Sequence, residues 1–141
     1  MPASAARIPV WLKPGILRAR RALSRETGLA AAYLYGSALG RRDFEDVDVA
    51  LLYASGARTP GQSRLSGLAL SLDKAFQAET DLHAADELPD ALRFRVVRDG
   101  VRFLTLDRLA AVRFESETLI RFLDFKPAYD RLNASVLARR C

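Results

Sequence analysis

Asp46 and Asp48 stand one residue apart at the head of an apolar run, DVDVALLY, residues 46–53. A carboxylate set among apolar neighbours is costly unless a cation compensates it. Residues i and i+2 of a strand project from one face, so the two carboxylates share a side while Val47 and Val49 take the other. Two convergent carboxylates suit a divalent metal. A second run, TDLHAAD (80–86), places Asp81 and His83 on one face and Leu82 and Ala84 on the other. If the two strands are neighbours, Asp46, Asp48 and Asp81 come together, with Glu79 and Asp86 as nearby rivals for the third place. Such a trio is the layout of two-metal phosphoryl chemistry, where ions about 3.5–4 Å apart clamp the attacking and leaving oxygens. Gly36-Ser37 lies just upstream, where a strand enters a helical turn. Main-chain N–H groups and a hydroxyl at such a turn suit phosphate oxygens. Plainer roles compete: strand-edge carboxylates for the aspartates, a helix cap for Ser37, a satisfied structural residue for His83.

The elements needed to position these residues follow from periodicity and punctuation. Residues 1–12 read as an arm. Pro14 suits a first helical turn, and Ile16, Leu17, Ala19 and Leu23 keep helical spacing until Gly28. LAAAYLY (29–35) reads as a buried strand, a short turn covers 38–42, and 46–53 is the second strand. The Gly, Pro and Ser content of 54–62 marks a loop. Leu65, Leu68, Leu72 and Phe76 then form one stripe of a helix over 63–79. The third strand is followed by a helix opened by Pro89 and ended by Gly100, then by an edge strand at 101–106. From Asp107 onward the pattern is helical, with a break expected at Pro127. This order predicts an α/β (α+β) domain, a small mixed sheet with helices packed on it.

With 141 residues and half of them apolar, the chain suits one domain. No apolar run approaches the roughly 20 residues of a membrane span. The N-terminus lacks a basic region followed by an apolar core, so no secretory signal is expected. A single cysteine, Cys141, excludes an internal disulfide framework and points to a cytoplasmic protein. A net charge of +5 suits polyanionic company. The arginines are scattered along the chain, however, which reads as solvated surface and does not argue for direct nucleic-acid binding.

Gly36-Ser37 followed by Asp46-x-Asp48 on the next strand, with a distant Asp81, resembles the DNA polymerase β-like nucleotidyltransferases. The small size is similar to their minimal members, the MNT proteins. TDLHAADELPDALRFRVVRDGVRFLTLDR and RFLDFKPAYDR resemble the downstream strand segment and the tail of MNT antitoxins in HEPN–MNT toxin–antitoxin pairs. The likeness covers roughly residues 14–138. There are departures. Eight residues separate Ser37 from Asp46, a residue or two fewer than usual, and Glu45 stands where a Ser commonly precedes the first Asp.

The resemblance implies one nucleotidyltransferase domain over 13–141, after an arm at 1–12, with a C-terminal helical region at 107–139. It implies two Mg²⁺ ions on Asp46, Asp48 and Asp81, and ATP with its phosphates at Gly36, Ser37, Arg41 and Arg42. The shortened turn bears on the angle of the two arginines. A chain of this length is expected to carry no separate acceptor-binding domain, so the acceptor surface is expected to come largely from another molecule. The resemblance supplies a HEPN ribonuclease toxin, silenced by AMP on a tyrosine. Two other readings stay open: a module of the same fold that neutralises the toxin by contact alone, and a nucleotidyltransferase acting on RNA or a small molecule. Phe114, Leu119, Phe122 and Phe125, with Arg113, Arg121 and Arg131 among them, are candidates either for the core or for holding the partner.

Overall fold

The structure, a computed structural model, describes residues 7–140, with side chains described for 7–124 and 131. Phe125 and Cys141 therefore fall outside the described side chains. Four strands form one mixed sheet: β1 (Leu29–Tyr35), β2 (Asp46–Tyr53), β3 (Glu79–Ala84) and β4 (Val101–Thr105). Their order is β3-β2-β1-β4, with β4 at an edge as its short sequence suggested. β1 pairs antiparallel with β2 and β4, whereas β2 and β3 run parallel. The parallel pair needs a crossover, and α2 (Gln62–Phe76) supplies it.

Helices cover both faces, which is why every residue of β1 is buried and why its apolar run does not alternate. On one face, Leu12, Ile16, Ala19 and Leu23 of α1 (Lys13–Leu23) and the segment before it meet Leu68, Leu72 and Phe76 of α2 over Val47, Val49 and Leu51. On the other, Val96 and Val97 of α3 (Asp90–Asp99) and Phe114 of α4 (Arg108–Arg140) pack over Tyr33, Tyr35 and Leu52. Burial of these side chains is worth about 1.5–3 kcal/mol each before the entropy of ordering them is counted. Arg102 on β4 donates to Glu115 Oε2 of α4 at 2.6 Å, which ties that helix to the sheet.

Three helices differ from the pattern. α2 ends at Phe76 and not at 79, and Gln77 after it takes a left-handed conformation. α1 stops at Leu23, not Gly28, because Ser-Arg-Glu-Thr adds nothing to its buried stripe; Glu26 N–H and Leu29 N–H close a turn instead. α4 runs on through position 127 without the expected break. A proline deletes one main-chain donor, a local loss in a helix of 33 residues. Among the described residues, no helix is long and apolar enough to cross a membrane.

The aromatics proposed to hold a partner divide. Phe114 is buried against Tyr33, ring centroids 5.8 Å apart, and Leu119 packs on the same cluster. Phe122 stacks on Phe94 of α3 at 3.5 Å, and Arg121 reaches Asp90 at 3.5 Å. These side chains join α4 to α3 and the sheet. Among the described side chains of α4, the large apolar residues that are exposed are Leu109, Ile120 and Leu123, which the reading of the sequence did not single out.

Candidate functional site

Pairing places the chemistry. On β2 the buried residues Val47, Val49 and Leu51 face the first cluster, so Asp46 and Asp48 face the other side. Asp48 stands opposite Asp81 on β3 and opposite Tyr35 on β1, and Asp46 stands opposite Glu79. The row Asp81–Asp48–Tyr35 thus crosses three strands at one level. The start of β3 is fixed by Asp73 of α2, whose Oδ1 accepts from Thr80 N–H at 2.6 Å. That bond sets which residue of β3 lies beside Asp48.

Gly36 follows β1 directly and turns the chain with φ +83° and ψ −163°. Its missing side chain matters. A Cβ there would collide with Asp48 Oδ2 and lie 3.1 Å from Asp48 Cγ, so only glycine lets the turn sit against the carboxylate. Residues Ser37–Leu39 form a single 3₁₀ turn whose cap position is Gly36, with no side-chain cap bond. The exposed hydroxyl of Ser37 is left to face the cleft. That cleft, about 470 Å³, is lined by Ser37, Arg41, Asp43, Phe44, Glu45, Asp46 and Asp48.

The electrostatics centre on Asp48. Burial pushes its carboxyl above the usual carboxylate range, and the nearby charges of Asp81 and Asp46 push it the same way. Tyr35 is pushed up to about 12, by burial first and then by Asp48 and Asp81. In both groups burial is the larger cause and the neighbouring carboxylates add to it, while His83 acts on Asp48 in the opposite sense.

The candidate residues are not all brought together. Arg41 lines the cleft, but its guanidinium forms a pair with Asp43 at 3.1–3.2 Å. Arg42 is exposed and is not among the lining residues. Of the rivals, Glu79 lies beside Asp46, whereas Asp86 sits in the turn after β3, its carbonyl accepting from Arg93. Asp81 is engaged by a neighbour: His83 Nε2 approaches its Oδ1 at 2.9 Å. Their shared face was legible from i and i+2 spacing, but the contact was not. Among the described residues, no group of three His, Cys, Asp or Glu side chains stands at ligand spacing. Donor chemistry and charge nonetheless fit a hard divalent cation: all three candidates offer carboxylate oxygen, and their mutual repulsion is what such an ion relieves.

No family model matches the chain, and no curated protein does. Solved structures do. One chain belongs to the structure of a tri-AMPylated Shewanella oneidensis HEPN toxin in complex with MNT antitoxin. It is 19% identical at a TM-score of 0.68, and the match covers 89% of this chain and 98% of that one. Another belongs to a toxin–antitoxin with AMP-PNP, 21% identical at a TM-score of 0.65, covering 87% and 96%. A third, from an MntA–HepT toxin–antitoxin, is 22% identical at a TM-score of 0.60, covering 85% and 97%. Identity at this level carries the fold alone: this chain has the fold of the MNT antitoxin chains in these structures.

Proposed function

We propose that this chain is the antitoxin of a toxin–antitoxin pair and acts as a Mg²⁺-dependent nucleotidyltransferase, moving AMP from ATP to a tyrosine hydroxyl of a HEPN-type ribonuclease. The observation that carries the reading is the row of Asp48 and Asp81, with the Gly36 turn pressed on Asp48 and Ser37 on the same cleft. The structural likeness to chains from complexes with an AMPylated toxin and with AMP-PNP supports it. Gly36 and Ser37 seat the phosphates through main-chain N–H groups and the Ser37 hydroxyl. Mg²⁺ held by Asp46, Asp48 and Asp81 would supply charge neutralisation at the α-phosphate and a lowered pKa for the attacking hydroxyl. Asp81, more than half exposed, stands where an incoming hydroxyl can reach it. The tyrosine hydroxyl releases its proton to the carboxylate of Asp81 and on to solvent. Its oxygen bonds to the α-phosphorus as the α–β bridging P–O bond breaks, and pyrophosphate carries the leaving charge.

The test is transfer of AMP from α-labelled ATP to a co-purified HEPN partner in the presence of Mg²⁺. Label on a partner tyrosine is the expected result. A second reading, neutralisation by contact alone, is favoured by the pairing of Arg41 with Asp43 and by the eight-residue span from Ser37 to Asp46. An unlabelled partner whose ribonuclease activity is nevertheless silenced would establish that second reading.

Ser37 gives a sharper check on the phosphate seat. Ser37→Ala removes a hydrogen bond to a charged group, about 1.5–3 kcal/mol. Nucleotide affinity should therefore fall roughly ten- to a hundred-fold by calorimetry. Because Gly36 holds the cap position, the melting temperature should scarcely move. A variant that melts lower while binding nucleotide normally would return Ser37 to a structural role.

A further inference from the structure

The geometry points to Trp11 as the positioning residue of the Gly36–Ser37 turn, so that the N-terminal segment sets the geometry of the phosphate seat. The indole Nε1 donates to the Ala38 carbonyl at 2.8 Å, across 27 residues of sequence. Ala38 is the middle residue of the turn and is buried at 1% exposure. The turn's own bonds are internal to it: Leu39 N–H to Gly36 at 3.3 Å, Gly40 N–H to Ser37 at 3.0 Å and Arg41 N–H to Ser37 at 2.9 Å. A single 3₁₀ turn has poor hydrogen-bond geometry and little stability of its own. A bond arriving from outside the turn therefore adds a directed restraint on where its N–H groups point, beside the burial of Ala38 and the packing of Gly36 on Asp48.

The segment carrying Trp11 is docked independently. Leu12 is 2% exposed, and Ile8 packs on the first cluster. Trp11 itself remains 36% exposed, so apolar burial alone does not explain an indole at this position. What the indole adds is a directed N–H. Sequence spacing could not show this, because the contact follows no helical or strand period.

The inference rests on Gly36-Ser37 being the nucleotide seat, and its test separates the two. Trp11→Phe keeps an aromatic ring and removes the N–H. Hydrogen exchange should quicken at the Leu39 and Gly40 amides and stay unchanged in β1 and β2. Affinity for Mg²⁺·AMP-PNP should fall about three- to ten-fold. Trp11 is the chain's one tryptophan, so wild-type emission should change saturably with AMP-PNP, at the Kd that calorimetry gives. Ile8→Ala is the control: it should lower the melting temperature yet leave both turn exchange and affinity at wild-type values. Unchanged turn exchange in Trp11→Phe would overturn the inference, as would an Ile8→Ala variant that reproduces both effects. Quickened exchange in a protein that binds no AMP-PNP would uphold Trp11's hold on the turn and remove the nucleotide reading instead.

Discussion

Asp48→Asn should abolish AMP transfer and, in the absence of divalent metal, raise the melting temperature at pH 7. The two effects have one cause. Asp48 is the carboxylate against which Asp81, Asp46 and the Gly36 turn all converge. Removing its charge takes away the centre of the proposed cation site. A loss of a thousand-fold or more in transfer follows, equivalent to about 4 kcal/mol of barrier. The stability effect has the opposite sign. Burial, then Asp81 and Asp46, hold the Asp48 carboxyl above its unfolded value. A raised carboxyl contributes stability that is complete below the unfolded pKa and lost as pH rises through the folded one. At pH 7 the ionised Asp48 therefore weakens the metal-free fold, and a neutral isostere relieves that penalty. The gain should fade in acid, as pH falls through the raised pKa of wild-type Asp48 and the carboxyl takes up its proton.

Mg²⁺ should reverse the order: the ion raises the wild-type melting temperature by binding the native state, and the variant responds less. Melting curves at pH 7 and in acid, with and without Mg²⁺, read all of this. A metal-free Asp48→Asn that melts below wild type would mean that the carboxylate has a stabilising partner, and the repulsive picture of the site would fail.

How much of this was legible before the structure depends on the range of the signal. Asp46 and Asp48 share a face because strand geometry makes i and i+2 equivalent, and apolar flanks mark the strand itself. The helix over 62–76 was legible for the same reason, its stripe of leucines repeating at helical spacing. The approach of Asp81 to Asp48 is different. It depends on β2 and β3 being parallel neighbours in register, and no local pattern encodes which strands pair. Gly36 read as a turn residue, but the need for glycine comes from a carboxylate twelve residues on, packed where a Cβ would go. The C-terminal end of α1 and the continuity of α4 were misjudged because Gly28 and Pro127 are local signals, whereas the burial that ends or extends a helix is tertiary. Trp11, in what read as an arm, meets Ala38 through a tertiary contact, beside Leu12 and Ile8 on the first cluster, that no local pattern encodes.

Gly36→Ala should cost both activity and stability, which distinguishes it from Asp48→Asn. Two penalties act together. The pair φ +83°, ψ −163° belongs to a region that is essentially reserved for glycine, and a residue with a Cβ there pays about 1–3 kcal/mol. The new methyl also meets Asp48 Oδ2, so either the turn or the carboxylate must move. Displacing the turn moves the Ser37 N–H and hydroxyl; displacing the carboxylate moves the centre of the proposed cation site. Transfer should therefore fall nearly as far as in Asp48→Asn, and the melting temperature should drop by roughly 2–10 °C for a domain of this size. A double-mutant cycle separates the penalties. In an Asp48→Ala background the collision is gone but the dihedral cost remains, so Gly36→Ala should destabilise less there than in the wild type, and the difference measures the contact. Equal costs in the two backgrounds would leave the backbone conformation as the whole reason for a glycine at position 36, and the turn would then owe nothing to its packing against Asp48.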